Sequence, residues 1–314
     1  MKIVSFIIPT YHRISFLIQA IESIRRQIQV QWKPEIIVID DDPESTLKEE
    51  LCRQDQLQII YLKNKINSGP GFSRQEGLKL AKGELIVFMD DDDFFTDFSC
   101  IEKAIRIFND NKNADLSFVG FNANSYYQKT GRIQKNQPLN LKGLISGKTY
   151  FKGFMGRYNK PISTFTSVFS HKKLLESGAA KVEMLNDTVI YLLASSVGNV
   201  FFNSEYIGNY RIHNSNISET LSAEFIIDNI ETKIALLGHI NRWHSNRTVW
   251  IYNQAKVSIR YFLQRNDNLS QAPIIFDWIG RQRLVLKVIL RLDTLFFWFK
   301  RRIKNFLLVR IGKK

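Results

Sequence analysis

Four consecutive carboxylates, Asp90-Asp91-Asp92-Asp93, follow directly on the apolar run Leu85-Ile86-Val87-Phe88-Met89. Adjacent carboxylates repel, so without a cation or several N–H donors some of them take up protons or lower stability. A hard divalent cation relieves the repulsion, and carboxylate oxygens are the ligands it prefers. In extended backbone alternate side chains share a side, which groups Asp90 with Asp92 and turns Asp91 and Asp93 elsewhere. A cation held there would stabilise negative charge building on a departing diphosphate. The competing reading is a solvated acidic turn that caps a helix after Thr96 or Asp97.

A second acidic group, Asp40-Asp41-Asp42, ends the run Ile36-Ile37-Val38-Ile39. A carboxylate at that place can accept a hydrogen bond from a nucleobase N–H, or it can cap the next helix. Tyr11, behind Pro9-Thr10, offers an aromatic face on which a base can stack. Asn67-Ser68-Gly69-Pro70-Gly71-Phe72-Ser73-Arg74 reads first as a turn. Because it opens a helix, its N–H groups and Arg74 are also candidates to face a diphosphate.

These residues need elements to position them. Short apolar stretches at Val4–Ile8, Glu35–Ile39, Leu57–Leu62, Glu84–Met89 and Leu116–Phe121 alternate with helical stretches at Ser15–Ile28, Glu44–Arg53, Gly71–Lys82 and Phe98–Asp110. Alternation of this kind predicts an α/β fold with a mostly parallel sheet flanked by helices. Ligands of open α/β sheets collect at the carboxyl ends of the strands, which is where the acidic groups fall. Residues 124–160 are polar without a clear period and predict long loops over the sheet. Regular structure resumes at 186–213, and helical patterns run from about 222 to the end.

The chain has 314 residues, of which 44% are hydrophobic and 12% aromatic. That suffices for a packed core and excludes wholesale disorder. Cys52 and Cys100 are too few for a disulfide framework, match no zinc spacing, and read as buried fillers. The apolar stretch Ile3 to Ile8 stops at Pro9 without a cleavage site, which argues for a cytoplasmic protein. The formal charge of +14 is concentrated at one end, where residues 281–314 hold 11 Lys and Arg against one acid, Asp293.

In their order and spacing, Val4 through Tyr11, Ile36 through Asp41, Asn67 through Arg74, and Gly83 through Asp93 resemble family 2 glycosyltransferases. The resemblance covers roughly residues 3–218. It implies the GT-A fold in a catalytic domain at 1–220, a nucleotide-sugar donor, Mg²⁺ or Mn²⁺, and inversion at the anomeric carbon. By position, Pro9, Thr10, Tyr11, Asp41, Arg74, Asp90 and Asp91 are similar to donor-binding residues. Asp41 takes the place of the nucleobase-binding carboxylate, Asp90 that of a ribose or metal contact, and Asp92 that of the metal ligand. In Asn186-Asp187-Thr188 the Asp resembles the general base that deprotonates an acceptor hydroxyl, as such chemistry requires; an N-cap is the competing reading. Asn186 departs from the family's Glu, and Asp42-Pro43 from its Gly-Ser. Tyr210-Arg211-Ile212-His213 is similar to a closing segment whose His, here His213, can approach the metal or diphosphate.

The remainder, 221–314, reads as a helical region ending in a basic amphipathic segment. Its longest charge-free stretch at 281–314 is Thr294–Phe299, which falls far short of the roughly 20 residues that span a bilayer. On a helical wheel Arg283, Lys287, Arg291, Arg301 and Arg302 share an arc of roughly 100°. That suits a helix lying on the anionic inner face of a cell membrane, close to a saccharide or lipid-linked acceptor. The alternatives are a helix packed on the catalytic domain and, disfavoured by the apolar bulk, a nucleic-acid-binding arm; no nucleic-acid partner is expected. The rival functions are a sugar-nucleotide nucleotidyltransferase, against which Pro9-Thr10-Tyr11-His12-Arg13 lacks the glycines such a loop needs, and a non-catalytic nucleotide-sugar-binding or scaffold protein.

Overall fold

The computed structural model describes residues 1–53, 59–214, 222–239, 247–265 and 272–311; the side chains of Glu50, Cys52, Arg53, His239, Arg265 and residues 302–314 fall outside that description. The chain divides into two compact units, Met1–His213 and Asn214–Lys314. The expected boundary at 220 and the stretch Ser215 to Ser218 lie outside the described residues.

In the first unit β1 (Lys2–Thr10), α1 (Ile14–Arg25), β2 (Trp32–Asp40), α2 (Leu47–Arg53), β3 (Ile59–Lys63), α3 (Pro70–Leu80) and β4 (Leu85–Phe88) alternate as expected. Then follow β5 (Phe94–Phe95), α4 (Cys100–Asp110), β6 (Leu116–Tyr127), β7 (Arg132–Lys135), β8 (Gly143–Ile145), α5 (Gly147–Gly153), β9 (Ser167–Ser170), α6 (His171–Glu176), α7 (Asp187–Val197) and β10 (Asn199–Ile212). One sheet runs in the order β3-β2-β1-β4-β9-β6-β10-β5, with β7 added to β6 and β8 to β10. β3, β2, β1 and β4 are parallel, β9 is antiparallel to both β4 and β6, and β10 runs parallel to β6.

Strands β1, β2 and β4 are buried on both faces, so their sequences are near-continuous apolar runs. Along β1, Val4, Phe6 and Ile8 enter one core with Trp32, Leu17, Ile21, Phe95 and Ile101. Ile7 points the opposite way, toward α3. A Cβ on Gly77 of that helix would come within 2.3 Å of Ile7 Cγ2, so only glycine lets α3 lie this close. Beyond β4 the core is aromatic. Phe118 meets Tyr150, Phe169, Tyr191 and Phe202 with ring centroids between 5.3 Å and 5.8 Å apart. Most of these contacts are edge to face, the arrangement that ring quadrupoles favour.

One expectation is corrected, and one competing reading is set aside. Residues 124–160 are not simply long loops: β6 runs on to Tyr127, β7 and β8 pair at the sheet margin, and α5 follows. Nor does the acidic run cap a helix, since β5 intervenes and α4 begins only at Cys100.

The parallel strands end together. Thr10 is level with Asp40, and Asp40 with Lys63. The Met89 N–H donates to the Ile7 carbonyl at 2.9 Å, carrying the β4 line into the acidic run. β5 pairs antiparallel with β10, Gly208 opposite Phe95 and Asn209 opposite Phe94. That pairing returns Arg211 and His213 to the acidic edge from far along the chain.

The second unit holds α8 (Ala223–His239), α9 (Arg247–Arg265), α10 (Ala272–Gly280) and α11 (Leu284–Ile311). Asp293 of α11 takes two bonds from Arg260 of α9 at 2.6 and 3.1 Å, and Leu286, Leu290 and Thr294 are buried. Trp278 of α10 donates to Glu231 of α8 at 2.6 Å. No described helix is long and apolar enough to cross a membrane.

Candidate active site

The four aspartates have separate environments. Asp91 and Asp93 turn into the protein. The Thr10 hydroxyl donates to Asp91 Oδ2 at 2.7 Å. Asp93 accepts the Ser163 hydroxyl at 2.6 Å and the Arg211 backbone N–H at 3.1 Å. Burial is the larger cause that lifts the Asp91 carboxyl to about 7; Arg13 and the Thr10 hydroxyl oppose the lift, while Asp92 and Asp90 add to it. Burial, with repulsion from Asp92 and Asp90, likewise pushes Asp93 well above the carboxylate range. Asp90 is partly exposed and ion-paired with Arg74. Asp92 Oδ2 lies 2.9 Å from His213 Nε2 and accepts Arg13 Nη1 at 2.6 Å.

Asp41 organises a loop. Its Oδ1 accepts the Asn64 side-chain amide at 2.7 Å and the Ser68 N–H at 3.0 Å, and its Oδ2 accepts the Gly69 N–H at 2.6 Å. Gly69 has a φ of 83°, a left-handed conformation suited to glycine. Pro70 then opens α3, the helix position its fixed φ prefers. Two of the N–H groups expected to face a diphosphate are thus already bound to Asp41. Pro9 and Thr10 are buried at the end of β1, whereas Tyr11 is 41% exposed with its ring edge-on to His12.

Arg74 connects two parts of the site. Its guanidinium is buried, pairs with Asp90, and donates to the Leu185 carbonyl at 3.4 Å. The Leu185 N–H donates to the Gly71 carbonyl at 3.0 Å, so the turn leading into α7 is tied to the first turn of α3. Asp187 is the first residue of α7, and its Oδ1 accepts the Thr188 N–H at 2.7 Å. Asn186 occupies the cap position without a side-chain capping bond.

Lys160 Nζ lies 2.6 Å from Asp187 Oδ2. Burial works against the charged carboxylate, yet Lys160 and, behind it, Arg74 and the Thr188 N–H bring its pKa down to about 2. Asp187 is therefore a fixed carboxylate at neutral pH.

The site residues fit a divalent cation. His213 Nε2 and Asp92 Oδ2 lie 2.9 Å apart, and an imidazole nitrogen beside a carboxylate oxygen is a donor pair that would suit such an ion. Asp91 Oδ1 nearby is buried without a hydrogen-bond partner. Among the described residues no group of three or more His, Cys, Asp and Glu is placed to hold a metal ion, so the protein's own donors at this point are the pair Asp92 and His213.

Sequence reasoning missed Arg13, Lys160 and Ser163. Arg13 lies two residues past Tyr11, in a turn already marked as important. Lys160 ends the stretch 124–160 that shows no clear period, and Ser163 lies just beyond it.

The profile of Glycosyl transferase family 2 matches residues 5–177. An uncharacterized glycosyltransferase of Rickettsia felis is 43% identical over 94 residues, 29% of this chain and 15% of that protein. A poly(ribitol-phosphate) beta-glucosyltransferase of Bacillus spizizenii is 30% identical over 94 residues, again 29% of this chain and 15% of the relative. Each match thus spans a small part of the relative's length. Among solved structures, S. aureus TarS 1-349 in complex with UDP-GlcNAc superposes with a TM-score of 0.71 at 14% identity, covering 95% of this chain and 89% of that one. That likeness gives the GT-A fold that the resemblance implied, with added C-terminal helices. The mannosyltransferase PcManGT from Pyrobaculum calidifontis, in complex with GDP-Man and Mn²⁺, aligns at TM-score 0.50 and 12% identity over 97% of this chain and 87% of that one. With the profile covering more than half of its length, this chain belongs to glycosyl transferase family 2.

Proposed function

We propose that this chain moves a hexosyl or N-acetylhexosaminyl group, with inversion, from a UDP-linked sugar to a hydroxyl of a saccharide or lipid-linked saccharide during assembly of a cell-surface polysaccharide. The observation that carries the reading is the continuity of one site: Asp92 with His213, Asp90 with Arg74, and Arg74 with the turn that presents Asp187. A cation site and a candidate base are thus held on one frame. Family membership supports sugar transfer, and the UDP-GlcNAc complex of a fold neighbour supports a uridine donor.

In this reading Tyr11 stacks on the base, Pro9 and Thr10 shape the floor beside it, and Asp41 fixes the loop that borders it. Asp91 supports that floor through Thr10. Mg²⁺ or Mn²⁺ held by Asp92 and His213, beside Asp90 in its pair with Arg74, would neutralise charge on the leaving diphosphate. Asp187 takes the acceptor's hydroxyl proton as the oxygen bonds to the anomeric carbon and the bond from that carbon to the diphosphate breaks on the opposite side. The exposed apolar stripe of α11, edged by cations, supports a peripheral position on the inner, anionic face of a cell membrane.

The test begins with thermal shift against UDP-, GDP- and dTDP-sugars with Mn²⁺, where saturation at 100-fold over Kd should stabilise by about 2.7 kcal/mol. The sugar that stabilises is then assayed for turnover. Asp92→Ala should abolish turnover with an unchanged circular dichroism spectrum. Full activity in that variant, or in EDTA, refutes the reading.

A further inference from the structure

Arg13 places a positive charge on the oxygen assigned above to the cation. Its Nη1 is 2.6 Å from Asp92 Oδ2, and its Nη2 is 3.3 Å from Asp91 Oδ1. His213 Nε2 approaches the same Asp92 oxygen at 2.9 Å. The guanidinium therefore stands where a divalent cation on Asp92 and His213 would meet it, and like charges cannot share one carboxylate oxygen without strong repulsion.

Arg13 is also built to leave. It sits at the cap position of α1, and its backbone carbonyl, not its side chain, accepts the Phe16 and Leu17 N–H groups at 3.1 and 3.0 Å. Moving the guanidinium breaks no helix hydrogen bond. Its side chain is 26% exposed, so the long stem already reaches solvent, as flexible cationic side chains tend to do. Its hold on Asp91 is purely electrostatic, because Asp91 Oδ1 has no hydrogen-bond partner.

We propose that Arg13 is a built-in counter-cation. It holds Asp91 and Asp92 while the site lacks a divalent ion and swings off Asp92 when one binds, so that cation affinity is the outcome of an exchange. The proposal rests on the reading of Asp92 as a cation ligand. It adds that the chain sets its own threshold for the metal and keeps its acidic cluster neutralised without one.

The test measures free Mn²⁺ by electron paramagnetic resonance during titration of the full chain, without donor, for wild type, R13Q, R13K and D92N. R13Q should bind Mn²⁺ about tenfold more tightly than wild type, as expected on removing one like charge from a partly screened site. R13K, which keeps the charge but not the two-armed fork, should stay within a few-fold of wild type. D92N should lose binding. R13Q no tighter than wild type, with D92N defective, overturns the exchange while leaving the cation site standing; D92N binding as well as wild type removes both. A second measurement needs no variant. Arg13 in the wild type should react faster with phenylglyoxal in saturating Mn²⁺ than in EDTA, read by peptide mass, and equal or slower reaction overturns the proposal.

Discussion

Lys160 and Asp187 form an ion pair of 2.6 Å at the start of α7, so the candidate base is neutralised by a residue 27 positions earlier in the chain. An acceptor hydroxyl that bonds to Asp187 must share the carboxylate with this ammonium or displace it. Lys160 also keeps Asp187 ionised, because its charge, with that of Arg74, outweighs the burial that would otherwise favour the protonated form.

A pH dependence follows. The native pKa of Asp187, about 2, is below the ordinary 3.8. The folded form therefore binds fewer protons, and the pair's contribution to stability is present above pH 3.8 and lost as pH falls through about 2. In Lys160→Met the base pKa should rise by about one unit, the lower end of the usual range for loss of one opposite charge at a partly exposed carboxylate. The acid limb of kcat against pH should move up by the same amount, and Lys160→Arg should restore it. An unmoved limb would show that Lys160 does not tune the base.

Arg74 should matter for fold and turnover together. Its buried guanidinium joins Asp90 to the Leu185 carbonyl through two different nitrogens. Arg74→Met should cost about 1.5–3 kcal/mol, the range for hydrogen bonds to charged groups, measured by urea unfolding. Turnover should fall further than stability explains, because the turn holding Asp187 keeps its backbone bond to Gly71 but loses its side-chain tie to α3. Arg74→Lys should recover the charge at Asp90 without the bond to Leu185. Stability and turnover both equal to wild type in Arg74→Met would remove Arg74 from the frame.

The legible parts of the sequence were those with local signals. β1, β2 and β4 are buried on both faces and therefore read as unbroken apolar runs, and α3 is announced by Gly69-Pro70. The acidic runs stand out because adjacent carboxylates repel one another and need a compensating partner. β7 was invisible for the opposite reason: all four of its residues are exposed, so no alternation marks it, and β8 has only three residues. Arg13, Lys160 and Ser163 pair with residues 27 to 79 positions away, and nothing in a single sequence reports such partners. His213 was suggested by resemblance alone; its nearness to Asp92 depends on the β5–β10 pairing, and β5 is two residues long.

The close approach of α3 to β1 gives a prediction independent of chemistry. A methyl group at Gly77 would meet Ile7 Cγ2 at 2.3 Å, in a core strand with no room to retreat. Gly77→Ala should destabilise by about 1–3 kcal/mol, as overpacking does. Ile7→Ala should also destabilise, by about 2–5 kcal/mol, through the cavity it leaves. Together the two should cost less than their sum, since each supplies the space or bulk that the other lacks. Simple additivity in urea melts would mean that the helix shifts instead of the side chain.

Helix α11 presents two apolar faces. One is buried around Leu286 and Leu290, while Val285, Val288, Ile289, Leu292, Leu295, Phe296 and Phe299 stay exposed at the spacing of a single stripe. Arg291 and Lys300 border that stripe on opposite sides at about 100° per residue. A helix on a bilayer sinks its apolar face and keeps cations at the headgroups, and each cation near an anionic surface adds about 1 kcal/mol. Leu292→Asp with Phe296→Asp should therefore abolish co-sedimentation with vesicles containing anionic phospholipid while leaving the melting temperature unchanged, since both side chains are already in water. Arg291→Gln with Lys300→Gln should weaken binding about 30-fold, two such increments at about 1.4 kcal/mol per tenfold. The cation pair should have no effect on neutral vesicles. Undiminished sedimentation of the aspartate pair would mean that the stripe does not face lipid.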